Sequence, residues 1–209
     1  MSSDFDEKQK RFKVFKDNAR AIHEFNKRKD VPYKLGLNKF AAMTNQEFRA
    51  AYIGFDILRH RSFRDARLGG VFSRYQSINL NILPSCVDWR QKGEVTAIKD
   101  RGNCWSCWAF STVAAVEGIN QIKTKNLVSL SVQQLVDCNT KYNYGCRGGA
   151  MKFAFEFIKD NEGITFEERD PYTGKQGRCE PREYKQVVVI DGYENVPAND
   201  EKSLLKAVA

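Results

Sequence analysis

The six cysteines of this chain all lie after residue 85, and this placement constrains the fold more than any other feature of the sequence. They are Cys86, Cys104, Cys107, Cys138, Cys146 and Cys179. An even number at wide spacings is typical of a disulfide-bonded protein from an oxidising compartment. A zinc site would need a second close cysteine pair or a histidine pair, and both histidines, His23 and His60, precede the first cysteine. We therefore expect disulfides, and no metal or cofactor.

The distribution of charge divides the chain near the same point. Residues 1–83 carry 17 Lys and Arg against 9 Asp and Glu, whereas residues 84–209 carry 17 of each sign. Basic residues without interleaved aromatic residues or a nucleic-acid motif indicate a solvated helix. No run approaches the roughly 18–20 apolar residues of a membrane-spanning helix, and the start, MSSDFDEKQK, lacks the apolar stretch of a secretory signal. We expect neither nucleic acid nor a membrane as a partner.

The basic region has the pattern of a helical segment. Apolar residues recur at steps of three and four within residues 7–27, which predicts one face of a helix that ends before Pro32. They are Phe12, Phe15, Ala19, Ile22 and Phe25. Residues 33–40 resemble a short extended stretch. Thr44 with Glu47 is a capping box that predicts a second helix to about residue 52, and residues 54–83 are predicted to be an exposed connector.

The cysteine-rich region is predicted to contain further helices. Asn103 or Ser106 is expected to cap a helix from residue 107 to about 123. Its buried stripe is predicted to be Trp108, Ala109, Val113, Val116 and Ile119. Ser131 with Gln134 forms another capping box. Residues 151–159 are predicted to form a third helix that Gly163 closes, and residues 186–196 are the best strand candidate.

Cys104 and Cys107, three residues apart, admit several interpretations: a redox pair, a metal knuckle, a bridge, or a nucleophile beside a bridge. A thioredoxin-like pair needs a parallel α/β pattern around it, which the periodicity does not supply. At the first turn of its predicted helix, Cys107 lies where free N–H groups and the helix dipole favour a thiolate. Cys104, outside that helix, is then free to form a bridge that fixes the loop.

Three stretches, QKGEVTAIKDRGNCWSCWAFSTVAAVEG, LSVQQLVDC and YGCRGG, resemble the papain family of cysteine peptidases, whose signature is C-G-[SA]-C-[WY]. The basic region shows an independent resemblance to papain-type prosegments, and LGLNKFAAMTNQEF is similar to plant members. The E-R-F-N-I-N spacing is matched at Glu7, Arg11, Phe15, Asn18, Ile22 and Asn26. The G-x-N-x-F-x-D motif is matched at Gly36, Asn38 and Phe40.

The resemblance implies roles for individual residues. Cys107 would be the nucleophile, which attacks a peptide carbonyl after a histidine takes its proton and forms a thioester. Gly148 and Gly149 would let the substrate backbone pair like an added strand. Met151 would line the pocket for the second residue before the scissile bond, which implies an apolar preference. The implied disulfides are Cys104 with Cys146 and Cys138 with Cys179.

The sequence departs from the family pattern at four positions. Arg101 stands where the family has the oxyanion-hole glutamine. Trp105 replaces the glycine of the signature and is expected to crowd substrate binding. Ala42 replaces the aspartate of the prosegment motif, and Cys86 has no family partner.

The family's catalytic histidine and asparagine lie roughly 130–150 residues after the cysteine, whereas this sequence extends 102 residues past Cys107. Its own histidines, His23 and His60, both fall in the region that resembles a prosegment. Family prosegments also carry an earlier helix and a signal peptide. We therefore expect a precursor that is shortened at both ends and inactive in this form.

The expected fold is α+β and papain-like. Residues 1–83 are expected to be a prosegment with a connector from about residue 54, and residues 84–209 an incomplete peptidase domain with its mainly helical lobe. The expected function is that of a secreted, vacuolar or lysosomal cysteine endopeptidase precursor, a monomer that acts on proteins or peptides. The alternatives are an inhibitor that binds papain-like peptidases through the prosegment and a pseudoenzyme that binds peptides. An exposed apolar surface is expected where the second lobe would dock.

Overall fold

The structure is a computed structural model that describes residues 2–52, 75–180 and 185–209. It divides into two compact units, Met1–Gly54 and Phe55–Ala209. None of the helices in the described ranges is long and apolar enough to cross a membrane.

The described residues form α-helices, two short 3₁₀ helices and two isolated β-bridges, and contain no β-strand. The helices are α1 (Ser2–Asn26), α2 (Asn45–Tyr52), α3 (Cys107–Thr124), α4 (Val132–Cys138), α5 (Met151–Asp160) and α6 (Glu201–Val208). The 3₁₀ helices are Leu80–Ile82 and Gly145–Arg147. Most of the connector predicted for residues 54–83 lies outside the described residues.

The amino-terminal unit consists of α1, α2 and the segment that joins them. The predicted first helix is confirmed and begins earlier than expected. Ile22 and Phe25 are half-buried, but Phe12 and Phe15, on the same predicted face, are exposed. The capping box is confirmed, because the Thr44 N–H donates to Glu47 Oε2 at 2.8 Å and the Glu47 N–H donates to Thr44 Oγ1 at 3.2 Å.

The segment predicted to be extended, residues 33–40, forms no strand. The Asn26 side chain pairs with its backbone instead, since Asn26 Nδ2 donates to the Leu35 carbonyl and Oδ1 accepts from the Leu35 N–H, both at 2.8 Å. A side-chain amide thus gives this segment the pair of hydrogen bonds that a neighbouring strand ordinarily supplies.

The carboxy-terminal unit is built around α3, which packs against α4 and α5. The core includes Trp108, Val113 and Val116 from α3, Leu135 from α4 and Ile158 from α5. The prediction for Ile119 is wrong, because its side chain is 44% exposed. It lies in an open groove beside residues 188–192, so the buried stripe of α3 ends before its last turns.

The strand predicted for residues 186–196 is also wrong. Only one bridge forms there, between Ile164 and Val188, in which the Ile164 N–H donates to the Val188 carbonyl at 2.9 Å. A strand needs a partner along its length, and beyond this bridge the described residues place no ladder beside the segment. Its β-branched residues therefore indicate strand propensity without pairing.

The remaining ends of the helices agree with the sequence in part. The Gly163 N–H closes α5 by donating to the Ile158 carbonyl at 2.8 Å, with φ at 127°. Ser131 caps α4, because its hydroxyl oxygen accepts from the Gln134 N–H at 2.9 Å. The Gln134 side chain does not complete the capping box, because its Oε1 accepts from the Thr165 N–H at 2.9 Å. Helix α6, capped by Asp200, was not predicted.

Candidate active site

Cys107 is the first residue of α3, and its thiol is exposed. The helix behind it is firmly anchored, since Trp108 is 1% exposed and its indole Nε1 donates to the Gly145 carbonyl at 3.2 Å. The Thr112 hydroxyl donates back to the Trp108 carbonyl at 2.8 Å. A thiol at the accessible start of an anchored helix is placed for reaction with an external electrophile, because the free N–H groups and the dipole of the helix meet there.

The loop before Cys107 is held by the disulfide between Cys104 and Cys146, whose Cα atoms are 4.5 Å apart. Cys104 is 1% exposed, and the Trp105 N–H donates to the Cys146 carbonyl at 3.0 Å. The second disulfide, Cys138 with Cys179, joins the end of α4 to a later loop. The two pairs are those that the resemblance implies, and the unpaired cysteines are Cys86 and Cys107.

Arg101 bonds to the same loop through its guanidinium. Its Nη1 donates to the Cys104 carbonyl at 2.8 Å and lies 3.4 Å from the Gly102 carbonyl. Arg101 and Cys107 both line one groove of about 370 Å³ in the carboxy-terminal unit. The structure therefore brings together the predicted nucleophile and the predicted oxyanion-hole position, although this guanidinium nitrogen is bonded to backbone.

The groove has apolar walls and an ion pair whose carboxylate is buried. Ile98, Phe110 and Ala114 are among its lining residues. Glu117, 1% exposed, accepts from Lys99 Nζ and from the Leu130 N–H, both at 2.8 Å. Its other oxygen accepts from the Thr96 hydroxyl at 2.6 Å. The carboxylate is thus fully used in fixing the groove wall to α3.

Trp105, Gly148, Gly149 and Met151 are not among the lining residues of this groove. Gly148 has φ at 109°, a conformation that favours glycine. Met151, the first residue of α5, is 47% exposed.

Gly149 has a packing role. A Cβ atom there would lie 2.5 Å from Asn143 Oδ1 and 2.8 Å from Trp108 Cδ2. The same Asn143 Oδ1 accepts from the Ala150 N–H at 2.8 Å. Buried Asn143 was missed from the sequence, because a single asparagine in a turn gives no distinctive signal.

Ser106 and Tyr172 form a contact that was also missed from the sequence. The Tyr172 hydroxyl donates to the Arg101 carbonyl at 2.8 Å and lies 2.6 Å from Ser106 Oγ. Burial raises the pKa of Tyr172 above its ordinary value. These residues are 66 positions apart in the sequence, so no local pattern could have predicted their contact.

The prosegment-like motif forms a hydrogen-bonded network within the amino-terminal unit. Arg11 donates to Glu7 at 2.7 Å and to Glu47 at 2.9 Å. Asn18 Nδ2 donates to the carbonyls of Ala41 at 2.9 Å and Met43 at 3.2 Å. The polar positions of the motif thus tie α1 to the segment that leads into α2.

Two further residues of the motif, Asn38 and Phe40, shape a turn and pack against α2. Asn38 Oδ1 accepts from the Phe40 N–H at 2.9 Å, and the Phe40 ring contacts the rings of Phe48 and Tyr52. At position 42, where the family pattern has aspartate, the Ala42 carbonyl accepts from Arg11 at 3.3 Å. A Cβ atom added at Gly36 would have no atom within 4 Å, so space alone does not require glycine there.

The carboxyl group of Glu47 has a strongly lowered pKa. The hydrogen bond from Arg11, followed by those from the Thr44 N–H and hydroxyl, lowers the pKa of Glu47 from 4.5 to about 2.

No group of three or more His, Cys, Asp or Glu side chains converges to hold a metal ion within the described ranges.

Two family models match the chain. The model described as papain family cysteine protease matches residues 83–209, and that of the cathepsin propeptide inhibitor domain matches residues 3–48. The vignain of Ricinus communis is 56% identical over all of this chain and 58% of its own length. This chain therefore spans about three-fifths of the length of that curated relative.

Solved structures show the same similarity. The proform of Amb a 11, a cysteine protease and major ragweed pollen allergen, matches with a TM-score of 0.85 at 47% identity, covering 95% of this chain and 61% of that one. Recombinant stem bromelain precursor matches with a TM-score of 0.79 at 38% identity, covering 97% of this chain and 63% of that one.

Proposed function

The chain belongs to the papain family of cysteine proteases, and from this membership we propose that residues 84–209 carry the nucleophile of a peptide-bond hydrolase, Cys107. The observation that carries the proposal is the exposed thiol of Cys107 at the first residue of helix α3, whose inner face is buried. The sulfur attacks a peptide carbonyl, a thioester forms, and the amine leaves with a proton. The backbone N–H of Cys107 donates to the oxyanion that develops on the carbonyl oxygen.

The general base is proposed to come from outside this 209-residue sequence. Its two histidines are His23, in α1, and His60, which lies outside the described residues. Both belong to the region assigned to the prosegment, so neither is proposed to take the thiol proton. The 209-residue polypeptide alone is therefore proposed not to turn over peptide substrates.

The proposed substrates are proteins or peptides with an apolar residue second before the scissile bond. Met151, half-exposed at the start of α5, supports an apolar pocket, and positive-φ Gly148 supports close approach of a substrate backbone. Trp105 is proposed to narrow the site, since an indole occupies a position where the family pattern has glycine.

The proposed organisation is a prosegment at residues 1–83, with a connector from about residue 54, followed by a peptidase domain at residues 84–209. The two family matches and the division at Gly54 support it. The two disulfides support a secreted, vacuolar or lysosomal location. A monomer is proposed.

A second candidate function is inhibition of a complete papain-like protease by the amino-terminal unit. The match of residues 3–48 to the cathepsin propeptide inhibitor domain favours it, as does the network that Arg11 and Asn18 make within this unit. This candidate predicts that the whole chain inhibits stem bromelain at nanomolar concentration. The double variant Arg11→Ala with Asn18→Ala is expected to lose this inhibition.

Peptide chloromethyl ketones test the main proposal without requiring turnover. A reagent with leucine as the second residue before its reactive ketone is expected to label Cys107 about tenfold faster than a reagent with glutamate at that position. Cys107→Ser is expected to abolish labelling at this site. Equal labelling of Cys86 and Cys107, or no preference for leucine, would contradict it.

A further inference from the structure

We propose that Tyr172 is a positioning residue for Cys107. Its hydroxyl fixes the two ends of the loop that presents the thiol, and it holds the Ser106 hydroxyl away from the start of α3. The inference rests on the proposed function, in which Cys107 is the nucleophile.

The directions of the two hydrogen bonds follow from their atoms. The Arg101 carbonyl can only accept, so the single phenolic proton of Tyr172 goes to it at 2.8 Å. The Ser106 hydroxyl, at 2.6 Å, is therefore the donor to the Tyr172 oxygen, and its other acceptor, the Cys104 carbonyl, is more distant at 3.4 Å. Arg101 and Ser106 flank the disulfide-bonded Cys104, so one phenol clamps both ends of the loop.

The clamp changes what Ser106 does at the helix start. A serine at this position ordinarily accepts a hydrogen bond from a backbone N–H of the first helical turn. Ser106 makes no such bond, and its φ of −92° and ψ of 16° are not those of an extended capping residue. Its oxygen accepts no bond from the N–H groups at the N-terminus of α3, so it does not compete there with an anionic group.

Tyr172 is itself well fixed. Its ring meets the Phe110 ring edge-on at 4.8 Å, and its N–H donates to Glu167 Oε1 at 3.1 Å. Phe110 is in α3, so the tyrosine that clamps the loop also packs on the helix that carries Cys107. Removal of the hydroxyl alone leaves the ring contact in place.

Two alkylating reagents test this role in the 209-residue chain. Iodoacetate carries a negative charge and iodoacetamide does not, so the ratio of their rates at Cys107 measures how well the helix start and the loop receive an anion. Tyr172→Phe is expected to lower this ratio by about threefold to tenfold, because it removes both hydrogen bonds of the clamp. The ratio at Cys86 is expected to stay constant.

Matched variants separate positioning from folding. Tyr142→Phe removes the hydroxyl of an exposed tyrosine. It is expected to leave the iodoacetate-to-iodoacetamide rate ratios at Cys107 and at Cys86 unchanged, together with the melting temperature. Ser106→Ala breaks the clamp at one end but leaves no hydroxyl to compete at the helix start, so it is expected to lower the ratio at Cys107 by less than Tyr172→Phe does. The double variant is expected to fall no further than Tyr172→Phe.

The outcomes distinguish this inference from the proposed function. An unchanged ratio in Tyr172→Phe, or in Ser106→Ala if the tyrosine variant fails to fold, overturns the positioning role while Cys107 remains the nucleophile. If Cys107 in the unchanged chain reacts no faster than Cys86, the proposed function and the positioning role both fail.

Discussion

Ser106 occupies a helix start without capping it, and this shows how side chains at the site are set by distant partners. The sequence predicted the helix boundary at Cys107 because small and apolar residues follow it at helical spacing. It indicated Ser106 or Asn103 as the cap, since serine and asparagine favour that position. It could not show that the hydroxyl bonds to Tyr172, because sequence patterns report neighbours within a few residues.

Gly149 permits a direct test at the residue scale. We predict that Gly149→Ala lowers the free energy of unfolding by about 1–3 kcal/mol, because the added methyl group would overlap Asn143 and the buried Trp108 ring. Urea denaturation followed by tryptophan fluorescence measures this change.

The control is Gly192→Ala, because a Cβ there has no atom within 4 Å. It is expected to change the unfolding free energy by no more than about 0.5 kcal/mol. If Gly149→Ala were as mild as this control, glycine at 149 would be explained by substrate approach rather than by packing.

At the scale of elements, helices were predicted better than the segment that resembles a strand. Helices α1, α2, α3 and α5 make their backbone hydrogen bonds within themselves, and the spacing of their apolar residues is visible in the sequence. The segment at residues 186–196 has the β-branched residues of a strand, but pairing depends on a second segment, and within the described ranges it forms only the bridge at Val188. Helix α6 is short and lacks a buried residue, so its apolar pattern was too weak to detect.

The junction of α1 and α2 predicts a pH dependence. Because Arg11 and Thr44 lower the pKa of Glu47 to about 2, its contribution to stability is complete above its unfolded pKa of 4.5. The contribution is lost as the pH falls from about 4.5 to about 2. We predict that the chemical shift of the Thr44 amide, which donates to Glu47, titrates with a midpoint near the lowered pKa of about 2.

Glu47→Gln is the matched control for this titration, since it keeps the shape of the side chain and removes its charge. The Thr44 amide is expected to lose its inflection in this variant. A midpoint near 4.5 in the unchanged chain would show that the contacts of Arg11 and Thr44 with Glu47 do not persist in solution.

At the scale of the whole molecule, the described residues leave large apolar side chains exposed. Ile98 is fully exposed, and Ile82 and Val189 are exposed by 74% and 64%. The sequence predicted an apolar surface from the family resemblance, but could not say which side chains form it, because their exposure depends on which elements pack beside them. Such surfaces bind apolar molecules or other protein surfaces.

We predict that the folded chain binds the dye 8-anilinonaphthalene-1-sulfonate and that Ile98→Glu reduces the fluorescence at least about twofold, because a negative charge replaces an exposed apolar group in the groove and repels the sulfonate. Thr140→Glu adds the same charge at an exposed polar position and is expected to have little effect. Equal fluorescence in both variants would show that the groove beside Cys107 is not the apolar surface that binds the dye.

The central claim is that Cys107 at the start of α3 is a nucleophile, and its alkylation rate tests this most directly. The folded chain is treated with iodoacetamide at neutral pH, and modification of Cys107 and Cys86, the two unpaired cysteines, is followed by mass spectrometry. We predict that Cys107 reacts at least about tenfold faster than Cys86, because its exposed sulfur lies at a helix start, where free N–H groups and the helix dipole favour negative charge. Equal rates, or a disulfide that joins Cys107 to another cysteine, would contradict it.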